Sequence, residues 1–78
     1  MSKRARKAFE KGVSQIKLRR YEEARLSLNE AVKEHPQYAE AWYELGVANV
    51  GLELRDDAIA AFGKSVESDS KFIKPSLA

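Results

Sequence analysis

Catalysis at neutral pH needs a nucleophile, a base or a metal held among partners, and this chain has few candidates. It contains one histidine, His35, and no cysteine. One imidazole makes an all-protein zinc site unworkable, and without thiols there is neither a thiolate metal site nor a disulfide. His35 directly precedes Pro36, where a helix must stop, so its ring meets carbonyl groups or solvent. The acidic pairs Glu22-Glu23 and Asp56-Asp57 are neighbours in sequence and fall where helices begin. Negative charge there answers the helix dipole and needs no catalytic explanation. No glycine-rich phosphate loop is present. The expectation is therefore no catalytic residue, no cofactor, no metal and no enzyme.

The cations raise a different possibility. Lys3-Arg4-Ala5-Arg6-Lys7 opens a basic run that continues through Lys11, Lys17, Arg19 and Arg20, and such a run could follow a phosphate backbone. Net charge is only +2, however, since 14 basic residues face 12 acidic ones. Lys7, Lys11, Ser14 and Gln15 fall on one side of the first helix, the side a preceding repeat would cover. A polar outer side is what a terminal repeat needs for solubility. Capping is therefore favoured over nucleic-acid contact. No apolar run approaches the roughly 20 residues of a membrane span, and no signal-peptide core follows the basic start. With no cysteine, these features point to a cytoplasmic protein with no membrane partner.

The elements that position these residues follow from an internal repeat. Shifted by 34 residues, the sequence matches itself. Gly12 falls on Gly46, Val13 on Val47, Ile16 on Val50, Ala24 on Ala58, Leu28 on Phe62, Val32 on Val66 and Tyr38 on Phe72. Within each unit the apolar period is helical. Phe9, Val13 and Ile16 make one stripe, and Tyr43, Val47 and Val50 its counterpart. Ala24, Leu28, Ala31 and Val32 make another, mirrored by Ala58, Phe62, Ser65 and Val66. Breaks fall at 18–20, 35–37 and 53–54. The spacing predicts four helices, near 4–18, 21–34, 38–52 and 55–68. At 78 residues the chain forms one small all-α domain.

Trp42, Leu45 and Gly46, then Ala58 and Phe62, match the pattern W-x2-L-G-x2-Y followed by A-x3-F. Asn49 stands where the tyrosine would be. The first copy has Gly12, Tyr21, Ala24, Leu28, Ala31 and Pro36, with Ala8 and Lys11 in place of tryptophan and leucine. The chain thus resembles the tetratricopeptide repeat, in two copies at about 5–38 and 39–72, with residues 73–78 as the stub of a third. The resemblance implies antiparallel helix–turn–helix pairs in an α-solenoid. Gly12, Ala24, Leu28, Ala31, Trp42, Leu45, Gly46, Ala58 and Phe62 would then pack the repeats. A side chain at Gly46 would collide with the second helix of its own pair.

The resemblance also implies a function. First helices of such arrays line a concave groove that binds segments of partner proteins. The groove residues would be Phe9, Val13, Ile16 and Lys17 in the first copy, and Tyr43, Glu44, Val47 and Val50 in the second. Phe9 and Tyr43 are expected to be exposed, while Ile16 and Val50 could equally serve packing. A specialised form of the family clamps the C-terminal carboxylate of heat-shock chaperones with lysine and asparagine. Phe9, Val13 and Val47 occupy those positions here, which excludes that activity. An apolar floor suits a helical or extended protein segment. The alternative is self-assembly into homo-oligomers through the repeat surfaces, because the last helix, with Ile59, Phe62 and Val66, has only the stub to cover its outer side.

Overall fold

The computed structural model describes residues 2–68. The stub at 73–78 lies outside the described residues. Helix α1 spans Lys3–Lys17, α2 Tyr21–Glu34, α3 Ala39–Gly51 and α4 Arg55–Ser68. Among the described residues there is no strand.

Each boundary has a local cause. Ser2 is extended and its Oγ accepts the Ala5 N–H at 3.1 Å, which caps α1. Glu22 and Glu23 occupy the first turn of α2, and Asp56 and Asp57 that of α4. Helix α2 stops before Pro36, and the corner is closed by the Tyr38 N–H donating to the His35 carbonyl at 3.0 Å. The helices end or begin one residue inside three of the expected limits, because Leu18 and Leu52 are C-caps and Tyr38 is an N-cap.

The two first helices end in the same way. The Arg20 N–H donates to the Gln15 carbonyl at 2.8 Å and the Arg19 N–H to that of Ile16 at 2.9 Å. One period later, Leu54 bonds Asn49 at 2.8 Å and Glu53 bonds Val50 at 3.0 Å. This is the Schellman arrangement, which places the residue after the cap in the left-handed region. Arg19 and Glu53 accordingly have φ of 61° and 62°. Neither is glycine, so each carries a steric cost. Arg19→Gly and Glu53→Gly are each expected to raise stability by about 0.5–1 kcal/mol, part of the relief being offset by greater chain entropy when unfolded. Urea midpoints check this, and a destabilised Glu53→Gly would refute it.

Short turns fold α2 back on α1 and α4 back on α3, and α3 lies against α2. Small residues let the helices approach. Ala5, Ala24, Ala31, Ala41, Ala48 and Ala61 are buried, with Leu28, Val32, Tyr38 and Leu45 filling between them. A Cβ at Gly12 would stand 2.5 Å from Cγ of Leu28, and one at Gly46 would stand 2.6 Å from the Phe62 ring. Gly51 lies over the Tyr21 ring in the same way, at 2.5 Å. Trp42 is half-buried, and its indole N–H donates to the Pro36 carbonyl at 2.7 Å, tying α3 to the preceding corner. The buried Ser65 hydroxyl donates to the Ala39 carbonyl at 2.9 Å, which holds the end of α4 against the start of α3.

Candidate functional site

The face shared by α1 and α3 carries the residues marked as a groove, and the structure divides them. Val13 and Val47 hold equivalent positions on the two first helices, and both are half-buried. Lys17 is exposed at the end of α1 and lies close enough to Glu44 to act on its carboxylate. Burial raises the Glu44 carboxyl above its ordinary value, the Glu40 charge raises it further, and Lys17 pulls it down. Glu44 is thus an acid short of positive charge, set beside an apolar floor.

Phe9 departs from the expected exposure. It is half-buried, packs against the core, and its ring centroid lies 5.0 Å from that of Tyr38. Tyr43 is 38% exposed, with its ring 5.5 Å from Phe62 of α4. Ile16 and Val50 share a register position but not an environment. Ile16 packs against the core, whereas Val50 is 57% exposed and borders a recess with Ala58, Ile59 and Phe62 of α4. Val50 therefore borders the recess between α3 and α4 of the second pair.

The packing residues fall between the helices. Ala24, Leu28, Ala31, Leu45 and Ala58 are buried, Gly12 and Gly46 sit at the closest approaches, and Trp42 and Phe62 are half-buried. On the outer side of α1, Lys7, Lys11 and Ser14 are exposed. Gln15 instead accepts a hydrogen bond from the Ser27 hydroxyl of α2 at 2.7 Å.

Sequence reading missed one part of this face. A recess of about 360 Å³ opens between the N-terminal halves of α1 and α3. Phe9 and Tyr38 form its aromatic floor, and Lys3, Arg6, Glu10 and Glu40 form a rim of mixed charge. Arg6 and Glu10 pair at 3.5 Å. Burial raises the Tyr38 hydroxyl, with Glu40 and Glu10 adding to the rise and Arg6 opposing it. The available signal was the i, i+4 step from Arg6 to Glu10, one position beside the apolar stripe. His35 packs edge-on against Tyr38, centroids 5.7 Å apart, and so serves the corner.

A second missed feature lies inside. Asn49 is buried, and its Oδ1 has no hydrogen-bond partner among the described residues. Among those residues no group of histidine, cysteine and carboxylate side chains could hold a metal ion. No described helix is long and apolar enough to cross a membrane.

A family model for the tetratricopeptide repeat matches residues 9–71. No curated protein and no solved structure matches the chain.

Proposed function

The chain belongs to the tetratricopeptide repeat family, and from that premise we propose that its α1–α3 face binds a helical or extended segment of a partner protein. Tetratricopeptide repeats generally mediate protein–protein interaction, and the family is typically a non-catalytic module. One observation supports this reading above the others. The face joins a half-buried apolar line, Val13 and Val47, to an aromatic-floored recess at Phe9 and Tyr38, with carboxylates at Glu40 and Glu44 alongside. An amphipathic segment fits such a surface with apolar anchors on the floor and a basic side chain beside Glu44. That cation would relieve the strain that burial and Glu40 place on the Glu44 carboxylate.

The experiment selects peptides from a library of amphipathic helical and extended sequences displayed against the chain. Bound peptide should shift the amide resonances of α1 and α3 around Val13, Val47 and Glu44. Val13→Thr with Val47→Thr keeps near-native side-chain size while putting a hydroxyl on the floor, and is expected to weaken binding at least about tenfold, as loss of central apolar contacts does. Shifts confined to α2 and α4, or an unchanged affinity, would count against the site.

A second reading is self-assembly. Ile59 is 63% exposed and, with Val50, borders a recess of about 500 Å³ on the outer side of the α3–α4 pair. Its apolar residues, with Ala58 and Phe62, and the opposite charges of Glu53 and Arg55 on its lining favour association with another molecule of the same chain. Sedimentation over a wide concentration range distinguishes this reading from a monomer that binds peptide.

A further inference from the structure

We propose that the recess between α2 and α4 is a second docking site, one that takes a tyrosine side chain of a partner protein with a carboxylate beside it. Helices α2 and α4 both pack on α3 and not on each other. The gap they leave holds a recess of about 300 Å³, with Trp42, Leu45 and Asn49 of α3 along its floor. These three are spaced at i, i+3 and i+7, so they share one side of the helix. Arg25 of α2 and Asp57 of α4 meet across the gap at 3.6 Å. None of the lining residues belongs to α1, so the site is separate from the α1–α3 face and does not rest on it.

Asn49 is the residue that asks for a ligand. It is 3% exposed, and its Oδ1 accepts no hydrogen bond among the described residues. A buried acceptor left without a donor is costly. The internal repeat shows why no donor is at hand. Gln15 holds the same register in the first pair, and its Oε1 accepts the Ser27 hydroxyl at 2.7 Å. One period on, Ser27 becomes Ala61, which lines the recess and has nothing to donate. The Trp42 indole N–H is already given to the Pro36 carbonyl. Asn49 also stands where the repeat pattern has tyrosine, and its shorter side chain leaves room above the floor.

The recess selects among donors. Arg25 is engaged by Asp57, while Lys64 at the rim has no carboxylate partner among the described residues. This surplus of positive charge disfavours an incoming lysine or arginine. A carboxylate alone has only acceptors and leaves Oδ1 unanswered. Serine, threonine and the amides carry a donor but leave the apolar surface of Trp42 and Leu45 uncovered. A tryptophan N–H lies on the side of its ring system, away from the tip that would reach the floor. Tyrosine meets each demand. Its ring covers Trp42 and Leu45, its hydroxyl donates to Oδ1, and its face suits the cations at the rim. An acidic residue beside it on the partner then pairs with Lys64.

The test titrates the isotope-labelled full chain with the peptide acetyl-Glu-Tyr-Glu amide and with its phenylalanine counterpart. The tyrosine peptide is expected to shift the N–H resonances of the Trp42 indole and the Asn49 side chain. It should bind roughly 3- to 10-fold more tightly than the phenylalanine peptide, the effect of one hydrogen bond to a buried group. Equal affinity overturns the proposal, and so do shifts confined to Val13, Val47 and Glu44, which would assign the peptide to the α1–α3 face. Asn49→Gln with Ala61→Ser copies the pair that Gln15 and Ser27 make in the first unit, and should abolish the preference for tyrosine. Lys64→Glu, at an exposed position, should weaken both peptides at least about threefold. A preference that survives the paired substitution, or an affinity indifferent to Lys64→Glu, refutes the site. Should the paired variant fail to fold, the comparison of the two peptides on the unaltered chain decides.

Discussion

Leu28→Ala is expected to lower the unfolding free energy by about 2–5 kcal/mol, the range for a buried leucine truncated to alanine. Leu28 is fully buried and among the largest side chains that are. It fills the space that the missing side chain of Gly12 leaves between α1 and α2. The helices around it already meet through alanines, at Ala24 and Ala31 on its own helix and Ala5 across the interface. Close neighbours of this kind have little room to collapse into a void, so the cavity term should persist. For a chain of 78 residues, whose whole stability is of the order of 4–12 kcal/mol, the loss is a large fraction. A urea titration followed by circular dichroism reads it directly. A shift below about 1 kcal/mol would mean that α1 and α2 are not held together through this contact.

How far this could be read from the sequence depends on what each residue's environment is made of. The helices and their pairing follow from local pattern, since apolar spacing, the acidic first turns and Pro36 all act within a few residues. Gly12 and Gly46 could be singled out because they recur in register, and recurrence of a costly residue signals a close approach. Gly51 could not, because its register partner is Lys17 and no repetition marks it. Ile16 and Val50 show the limit most clearly. They are alike in chemistry and equal in register, yet one packs against the core and the other is exposed. The difference is whether another helix lies on top, which no local pattern encodes. Phe9 reads as exposed from local pattern for the same reason. Its cover is Tyr38, which is far off in sequence and reaches it only once α2 has turned the chain around. The recess at Phe9 and Tyr38 depends on that same distant contact and was invisible with it. Asn49 reverses the error, a polar residue buried where the repeat pattern has a tyrosine.

Gly46→Leu should destabilise the fold by about 1–3 kcal/mol or more through overpacking. A bare propensity argument gives the opposite sign, because glycine inside a helix costs about 1 kcal/mol relative to better helix formers. The geometry decides between them. Three carbons of the Phe62 ring would lie 2.6 to 2.8 Å from a Cβ at this position. Real Cβ atoms do not approach neighbours so closely, so either the ring or the backbone must move. The Phe62 ring also packs against Tyr43, one turn before Gly46 on α3, 5.5 Å away between centroids, and its helix is tied to α3 by the Ser65 hydroxyl on the Ala39 carbonyl. Sliding α4 outward would break both contacts. The discriminating experiment is a rescue. Phe62→Ala removes the ring and is itself destabilising, but in that background Gly46→Leu should be neutral or stabilising, because the leucine then fills the vacated space and recovers helix propensity. Melting curves of the two single variants and the double variant give the answer. A Gly46→Leu penalty that is the same with and without the Phe62 ring would show that the close approach of α3 and α4 is not why this helix keeps its glycine.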